Sequence, residues 1–156
     1  MTKPLAVITG ASSGIGEATA KAFSAAGYPT LLLARRLERM EALSLPNSMC
    51  RQVDVRNRDE LVAAIREAEA EYGPTDMIFN NAGVARLADI GTQPPEDWDE
   101  MIAINTNGVM NGVYAVMGQM KERGTGTIVN MSSIAGRKVY GDPTGYCGPE
   151  GFVHAS

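Results

Sequence analysis

Short apolar runs alternate with longer amphipathic segments along most of the chain, and this alternation constrains the fold more than any other feature. The apolar runs predict buried strands at residues 5–9, 30–34, 49–53, 76–79 and 126–131. The segments between them have helical periodicity and predict helices at residues 15–26, 36–43, 58–72 and 96–122. Strands that alternate with helices in this way predict an α/β fold with a mostly parallel sheet and right-handed crossovers.

Two of the predicted helices have apolar positions that suggest an inner face. For the helix over 15–26, we expect these residues to face the core: Ala18, Ala22, Phe23 and Ala26. For the helix over 58–72, the expected core residues are Leu61, Ala64, Ile65 and Ala68, with Asn57 as the N-cap.

Size and composition exclude several classes of protein. The chain has 156 residues, 44% of them hydrophobic, which suits one globular domain with a core. Its net charge of −4, without a basic tract, makes nucleic acid an improbable partner. Two distant cysteines, Cys50 and Cys147, and a single histidine predict neither a disulfide framework nor a metal site. No apolar span is long enough for a membrane helix and no leader is recognisable, so we expect a cytoplasmic protein without a membrane partner.

A glycine-rich loop joins the first predicted strand to the first predicted helix. The sequence from Thr9 to Gly16 reads Thr-Gly-Ala-Ser-Ser-Gly-Ile-Gly. Glycine permits a tight turn and close approach of the backbone, and the helix start behind it offers free amide groups to a pyrophosphate. The candidate phosphate-binding residues are Gly10, Ser12, Ser13, Gly14, Ile15 and Gly16. An ordinary turn remains the alternative, whereas a Walker loop is excluded because no Gly-Lys-Ser/Thr is present.

Two arginines, Arg35 and Arg36, follow the second predicted strand, where a dinucleotide-binding fold often has an acidic residue for the adenosine ribose. Guanidinium groups at this point suit the 2′-phosphate of NADP, whereas an acid would have indicated NAD. The alternative is a solvated pair of charges at a helix start.

Several motifs together resemble the N-terminal part of a short-chain dehydrogenase/reductase of the NADP-preferring type. They are, in chain order, residues 9–16, Asp54-Val55, Asn80-Asn81-Ala82-Gly83, Asn105, residues 128–136 and Tyr146. The resemblance implies a Rossmann-like three-layer α/β/α domain over residues 1–156, using NADP(H) to interconvert a small-molecule carbonyl and alcohol. It also implies a homo-oligomer for the full-length protein.

The resemblance assigns further cofactor contacts. Asp54 would bind the adenine amino group, with Val55 contributing its backbone. Asn81, Ala82 and Gly83 would line the adenosine ribose and the sheet, although an ordinary turn is a fair alternative because such residues are common at strand exits.

The resemblance also assigns the catalytic residues. Ser133 would polarise the substrate carbonyl, and Tyr146 would donate or accept the proton as negative charge develops on or leaves the substrate oxygen. Asn105 would lie at a helix kink that holds a water for proton relay. The alternative for Asn105 is a side chain that faces solvent.

The chain departs from the family pattern Tyr-x-x-x-Lys, because Glu150 occupies the lysine position. A carboxylate opposes the ionisation of a nearby phenol that a cation would favour. We therefore expect Tyr146 to be a poor acid–base group. Pro149 and its neighbouring glycines also predict that the last segment is short or irregular.

The chain ends before the family's last strand and substrate region, so we expect the sheet to be incomplete at its C-terminal end, with strand 126–131 as an apolar edge. The alternatives are an incomplete sequence of a longer enzyme, which we favour, a shortened non-catalytic relative, or a deliberately altered protein. Correspondingly, the leading hypothesis is an NADP-dependent oxidoreductase. Its rivals are a non-catalytic NADP-binding sensor or docking module, and a structural interaction through helix 96–122.

Overall fold

Five parallel strands form the centre of the structure, a computed structural model that describes residues 3–89, 91–138 and 144–155. The strands are β1 Leu5–Thr9, β2 Thr30–Ala34, β3 Ser48–Gln52, β4 Thr75–Asn80 and β5 Thr127–Asn130. Their order in the sheet is β3-β2-β1-β4-β5, and every neighbouring pair is parallel. The predicted strands are confirmed to within one residue at each end.

Helices cover both faces of the sheet. They are α1 Gly14–Ala25, α2 Leu37–Glu41, α3 Arg58–Tyr72, α4 Pro95–Met101, α5 Val109–Arg123 and α6 Thr144–Ala155. On β1, Val7 packs in the core cluster that contains Leu61 of α3 and Val116 of α5. The next residue, Ile8, packs with Ala20 of α1 in the opposite cluster. Successive strand residues point to opposite faces, so the predicted three-layer Rossmann-like α/β/α fold is confirmed.

Helix α3 agrees with the sequence prediction in its bounds, cap and inner face. The carboxamide oxygen of Asn57 accepts a hydrogen bond from the Glu60 amide at 3.3 Å. The buried residues of α3 are Leu61, Ala64, Ile65 and Ala68. This helix was predictable because leucine and isoleucine mark its inner face unambiguously.

The predicted inner face of α1 is wrong. Ala18, Ala22 and Ala26 are exposed and Phe23 is half-buried, whereas the buried stripe consists of Gly16, Ala20 and Ser24. Alanine occurs on every side of this helix, so apolar periodicity could not distinguish its faces. The smallest side chains face the sheet and allow α1 to lie close to it.

The predicted long helix over 96–122 is divided. A π-helical segment, Ile102–Gly108, lies between α4 and α5. It contains Asn105, a residue with poor helix propensity, at the position where the resemblance implied a kink.

The prediction that the last segment is short or irregular is wrong, because α6 continues for 12 residues through Pro149. Proline removes one helical hydrogen bond. Apolar burial compensates for this loss, since Pro149 and Val153 are both buried against neighbouring elements. These neighbours include the 3₁₀ turn Ile134–Gly136, the π-helical segment and α4.

Strand β5 is an outer strand of the sheet, and its Val129 is 42% exposed, which matches the expected apolar edge. Among the described residues, no helix has the length and apolarity to cross a bilayer, and no three His, Cys, Asp or Glu side chains are grouped to hold a metal ion. Cys50 and Cys147 are both free thiols.

Candidate active site

The loop between β1 and α1 depends on glycine. Gly10 and Gly14 have positive φ angles of 66° and 56°, which other residues rarely adopt. A Cβ atom on Gly10 would come within 2.8 Å of the Ala82 Cα, so the loop lies close to the exit of β4. Ser13, the N-cap of α1, makes no side-chain hydrogen bond to the helix. The first amide groups of α1 also have no intrahelical acceptor, as an anion-binding turn requires.

Arg36 lies beside this loop. Its Nη2 donates hydrogen bonds to the hydroxyl oxygens of Ser12 and Ser13, both at 3.1 Å. Arg35 and Arg36 are exposed and follow β2 directly. The structure therefore brings the Arg36 guanidinium to the two loop serines that the sequence indicated.

A cleft of about 230 Å³ lies at the carboxyl ends of the central strands. Most of the predicted cofactor-binding residues line it: Gly10, Ser12, Ser13, Arg35, Arg36, Asp54, Val55, Asn81, Ala82 and Gly83. Of the remaining three, Ile15 lines a second cavity, whereas Gly14 and Gly16 line neither. We call the first cleft the arginine cleft.

Asp54, at the exit of β3, already has a partner that the sequence analysis missed. The Nε and Nη2 atoms of Arg56 donate to the two carboxylate oxygens of Asp54, at distances from 2.5 to 3.0 Å. These hydrogen bonds hold the pKa of Asp54 below its ordinary value. An arginine two residues beyond the carboxylate was the signal in the sequence. An adenine amino group at Asp54 would share its acceptor with Arg56.

Thr9 joins the exits of β1 and β4, a second role that sequence reasoning missed. Its hydroxyl oxygen accepts from the amides of Asn81 and Ala82 at 3.0 and 3.1 Å. The Asn81 carboxamide donates back to the Thr9 carbonyl at 3.1 Å. These bonds fix the loop after β4 against the glycine-rich loop, so the predicted Asn81-Ala82-Gly83 segment is held between them.

Asn105 fixes Val84, which lies further along the loop after β4. Its carboxamide accepts from the Val84 amide at 2.9 Å and donates to the Val84 carbonyl at 2.8 Å. Asn105 is only 4% exposed, so the alternative of a solvent-facing side chain is wrong. The wider π-helical turn carries Asn105 towards the cavity that Tyr146 lines.

The second cavity, of about 240 Å³, shares Asn81, Ala82, Gly83 and Val84 with the arginine cleft. We call it the tyrosine cavity, because Tyr146 lines it together with Ile15, Asn105, Ser132 and Glu150, among others. Ser132, assigned only a local role by the sequence analysis, donates to the Glu150 carbonyl at 3.2 Å.

The predicted catalytic pair Ser133 and Tyr146 lies together. Burial raises the pKa of the Tyr146 phenol above its ordinary value, and the neighbouring Glu150 carboxyl also raises it. A hydrogen bond with the Ser133 side chain acts in the opposite direction without cancelling the rise. The phenol is thus less acidic than a free tyrosine, which agrees with the direction expected from Glu150.

Glu150 lies inside the protein rather than at its surface. It is 6% exposed, and its Oε1 lies 3.5 Å from the Asn105 carboxamide nitrogen. Its Oε2 is buried and has no hydrogen-bond partner in the described part of the chain. The arrangement therefore places a phenol and a serine hydroxyl, which could supply a proton and a hydrogen bond to a carbonyl oxygen, beside a carboxyl that opposes ionisation of the phenol.

The chain matches known proteins over almost its whole length. A family model described as short chain dehydrogenase matches residues 4–155. An uncharacterized oxidoreductase of Staphylococcus saprophyticus is 37% identical over 153 residues, covering 96% of this chain and 62% of that protein. An acetoacetyl-CoA reductase of Rhizobium meliloti is 39% identical over 136 residues, covering 86% of this chain and 56% of that protein. The chain thus spans about 60% of the length of these relatives.

Solved structures resemble the fold closely. Serine dehydrogenase from Escherichia coli superposes with a TM-score of 0.92 at 32% identity, covering 97% of this chain and 72% of that one. A gluconate 5-dehydrogenase from Burkholderia cenocepacia, in complex with NADP and tartrate, gives a TM-score of 0.89 at 30% identity. That match covers 99% of this chain and 63% of the other.

Proposed function

This chain belongs to the short-chain dehydrogenase family of oxidoreductases, and we propose that it forms the NADP(H)-binding part of an enzyme that interconverts a small-molecule carbonyl and alcohol by hydride transfer. The observation that carries this proposal is that the two clefts adjoin. Residues 81–84 line both the arginine cleft and the tyrosine cavity, and we infer that one elongated ligand passes along these residues from Arg36 to Tyr146.

The position of these clefts in the sheet supports a dinucleotide as that ligand. The strand order β3-β2-β1-β4-β5 reverses direction between β1 and β4. Ligands of open parallel sheets bind beyond the carboxyl ends of the strands at such a reversal. The glycine-rich loop and the start of α1 lie there and would hold the pyrophosphate.

Charge supports NADP over NAD. Arg35 and Arg36 line the cleft beside Ser12 and Ser13, so two guanidinium groups and two hydroxyls are available to a 2′-phosphate. Two similar solved structures support this choice, since a closed form of serine dehydrogenase and the gluconate 5-dehydrogenase are each described in complex with NADP.

Residues in and beside the tyrosine cavity would perform the proton chemistry. Bound NADPH would supply the hydride. Ser133 would donate a hydrogen bond to the substrate oxygen, and Tyr146 would protonate it. Asn105 would hold the loop at Val84 and, as the resemblance implies, support a water for proton relay. We infer that Glu150 impairs alcohol oxidation more than carbonyl reduction, because alcohol oxidation needs the tyrosinate and the carboxyl disfavours it.

A homo-oligomer is part of the proposal. Met110, Tyr114 and Met117 lie along one face of α5 and are 45%, 66% and 46% exposed. Their spacing of four and three residues makes a continuous apolar stripe on the helix. We propose that a second copy of the protein covers this stripe.

The cofactor assignment is tested with a double variant, Arg35→Ala with Arg36→Ala. Loss of charge-assisted hydrogen bonds to the 2′-phosphate should weaken NADPH binding about a hundredfold while leaving NADH binding nearly unchanged. Fluorescence titration of both cofactors gives the two affinities. Arg39→Ala, which removes an exposed charge from α2, is the matched control.

Equal weakening of NADPH and NADH would refute the phosphate assignment. Failure of the unaltered protein to bind either dinucleotide would refute the proposal as a whole. Cofactor binding without turnover in the complete protein would instead indicate the non-catalytic NADP-binding module.

A further inference from the structure

Arg56 surrounds the carboxylate of Asp54 with hydrogen-bond donors. Its main-chain amide and its Nε donate to Oδ1 at 3.0 and 2.9 Å, and its Nε and Nη2 donate to Oδ2 at 3.0 and 2.5 Å. Each carboxylate oxygen thus accepts two contacts from the same residue, which leaves no room for a second guanidinium in bidentate geometry. Asp54 lines the arginine cleft, whereas Arg56 lines only an open groove on the other side of Asp54.

Arg35 is a second cation beside this carboxylate. At the ends of β2 and β3, the Val53 amide donates to the Ala34 carbonyl at 3.1 Å. The next residues, Arg35 and Asp54, therefore leave the sheet side by side, and both line the arginine cleft. Hydrogen bonds from Arg56 contribute most to the lowered pKa of Asp54, and the positive charge of Arg35 lowers it further.

We propose that Arg56 sets the preference for NADP by occupying Asp54, which leaves Arg35 available to the 2′-phosphate. The inference rests on the proposed function, because it concerns the phosphate that Arg35 and Arg36 would bind. Without the Arg56 guanidinium, the Asp54 carboxylate would form a charge-assisted pair with Arg35 and withdraw it from the phosphate. Arg56 is therefore a positioning residue that acts through Asp54.

The competition concerns NADPH far more than NADH. The two cofactors share the adenine, the pyrophosphate and the nicotinamide, and only NADPH carries a 2′-phosphate for Arg35 to bind. A change that disturbs the adenine end as a whole would weaken both cofactors alike. The ratio of the two affinities therefore isolates the availability of Arg35.

Arg56→Ala tests the inference, because it removes the guanidinium and keeps the main-chain amide that donates to Asp54. The variant should fold, since exposed ion pairs contribute little to stability. Fluorescence titration should show an NADPH affinity about tenfold lower and an NADH affinity changed less than about twofold. Arg51→Ala is the matched control, since Arg51 forms a similar two-pronged pair with Glu67, and it should leave the ratio unchanged.

The same change is then made in Asp54→Asn, which removes the charge for which the two arginines compete. In this background Arg56→Ala should change the ratio of NADPH to NADH affinity less than about twofold, because distant surface charges are screened by salt. An equal loss in both backgrounds would mean that Arg56 acts on the phosphate by itself, and it would overturn the inference. Equal weakening of NADPH and NADH by Arg56→Ala would overturn it too.

A second measurement needs no cofactor. NMR of the arginine Nε–Hε groups reports each guanidinium, and Arg35→Ala identifies the Arg35 signal. In Arg56→Ala, this signal should shift and its exchange with water should slow, and Asp54→Asn should abolish both changes. An Arg35 signal that does not respond to Arg56→Ala would overturn the inference.

Failure of the proposed function gives a different result. An unaltered protein that binds NADPH no better than NADH would refute the NADP assignment, and the inference would fail with it. A clear preference for NADPH that persists in Arg56→Ala would overturn only the inference.

Discussion

The side-chain amide of Asn111 donates a hydrogen bond to the main-chain carbonyl of Val55 at 2.8 Å. Asn111 is buried on α5, whereas Val55 lies in the loop after β3 that lines the arginine cleft. Gly108 lies in the same contact, since a Cβ atom there would come within 2.7 Å of a Val55 methyl group. Through these contacts with Val55, helix α5 and the residue before it position the Asp54-Val55 end of the arginine cleft.

Asn111→Asp should selectively weaken binding of ligands that occupy the adenosine end of the arginine cleft. The new carboxylate would oppose the Val55 carbonyl while still accepting from Arg58, a further partner of this side chain. We expect a stability loss of about 1–3 kcal/mol and an NADPH affinity about tenfold lower, with no change for nicotinamide mononucleotide, which lacks the adenosine half. Chemical unfolding and fluorescence titration measure these effects, and the exposed Asn107→Asp serves as control. Equal weakening of both ligands would contradict a role at the adenosine end.

Gly112→Ala should destabilise the protein by about 1–3 kcal/mol, because the added methyl group overpacks a tight contact. A Cβ atom at Gly112 would overlap the carboxamide oxygen of Asn80, which is buried at the end of β4. Gly118→Ala is the matched control on the same helix, since a Cβ atom there meets nothing within 4 Å. We expect this control to stabilise the protein by about 0.5–1 kcal/mol. Similar unfolding free energies for the two variants would refute the packing argument.

Glu69 should contribute stability that depends on pH. Burial alone would raise the pKa of its carboxyl. Hydrogen bonds donated by Thr75, Arg66 and Gln119 outweigh burial and lower that pKa overall. A carboxyl with a lowered folded-state pKa stabilises the protein above its unfolded pKa of about 4.3, and this stabilisation is lost as pH falls through the folded value.

Glu69→Gln is therefore expected to cost about 1–3 kcal/mol at pH 7, with a smaller difference below about pH 4. Urea unfolding at both pH values measures the change. Glu71→Gln, at an exposed position of the same helix, should cost little at either pH. A cost for Glu69→Gln that is independent of pH would assign the effect to packing rather than to ionisation.

The strands and α3 could be predicted because their apolar residues are large and their boundaries carry a cap or a turn. The inner face of α1 could not, because alanine is compatible with either side of a helix. The continuity of α6 through Pro149 also escaped prediction, since burial of Pro149 and Val153 overrides local propensity.

In the candidate site, too, some features could be predicted from the sequence and others could not. The sequence identified Glu150 as a departure and gave the correct direction of its effect on Tyr146. It did not predict that Arg56 engages Asp54 or that Thr9 joins two strand exits, because both contacts depend on side-chain directions at loop ends. The burial of Asn105 depends on the π-helical segment, whose extra residue shifts every later side chain around the axis.

The charge at position 150 should control the acidity of Tyr146 in a graded series. Glu150→Gln removes a carboxyl that raises the pKa of the phenol, and Glu150→Lys replaces it with a cation. We expect the pKa of Tyr146 to fall from the unaltered protein to the glutamine variant and again to the lysine variant, by about one unit or more in total. NMR titration of ring-labelled tyrosine gives the three values. An unchanged pKa across the series would mean that burial alone sets it.

The apolar stripe of α5 should determine the oligomeric state. Met110 and Met117 expose thioether side chains on either side of Tyr114, whose ring also contacts the Arg58 guanidinium at 5.2 Å from the ring centre. Met110→Glu with Met117→Glu places like charges on both copies at the proposed interface, and burying an unpaired carboxylate is costly. We therefore expect this double variant to be monomeric by light scattering at concentrations where the unaltered protein associates. Ala22→Glu, on the exposed face of α1, is the control and should leave association intact. If the oligomer persists in the double methionine variant, the interface lies on another surface.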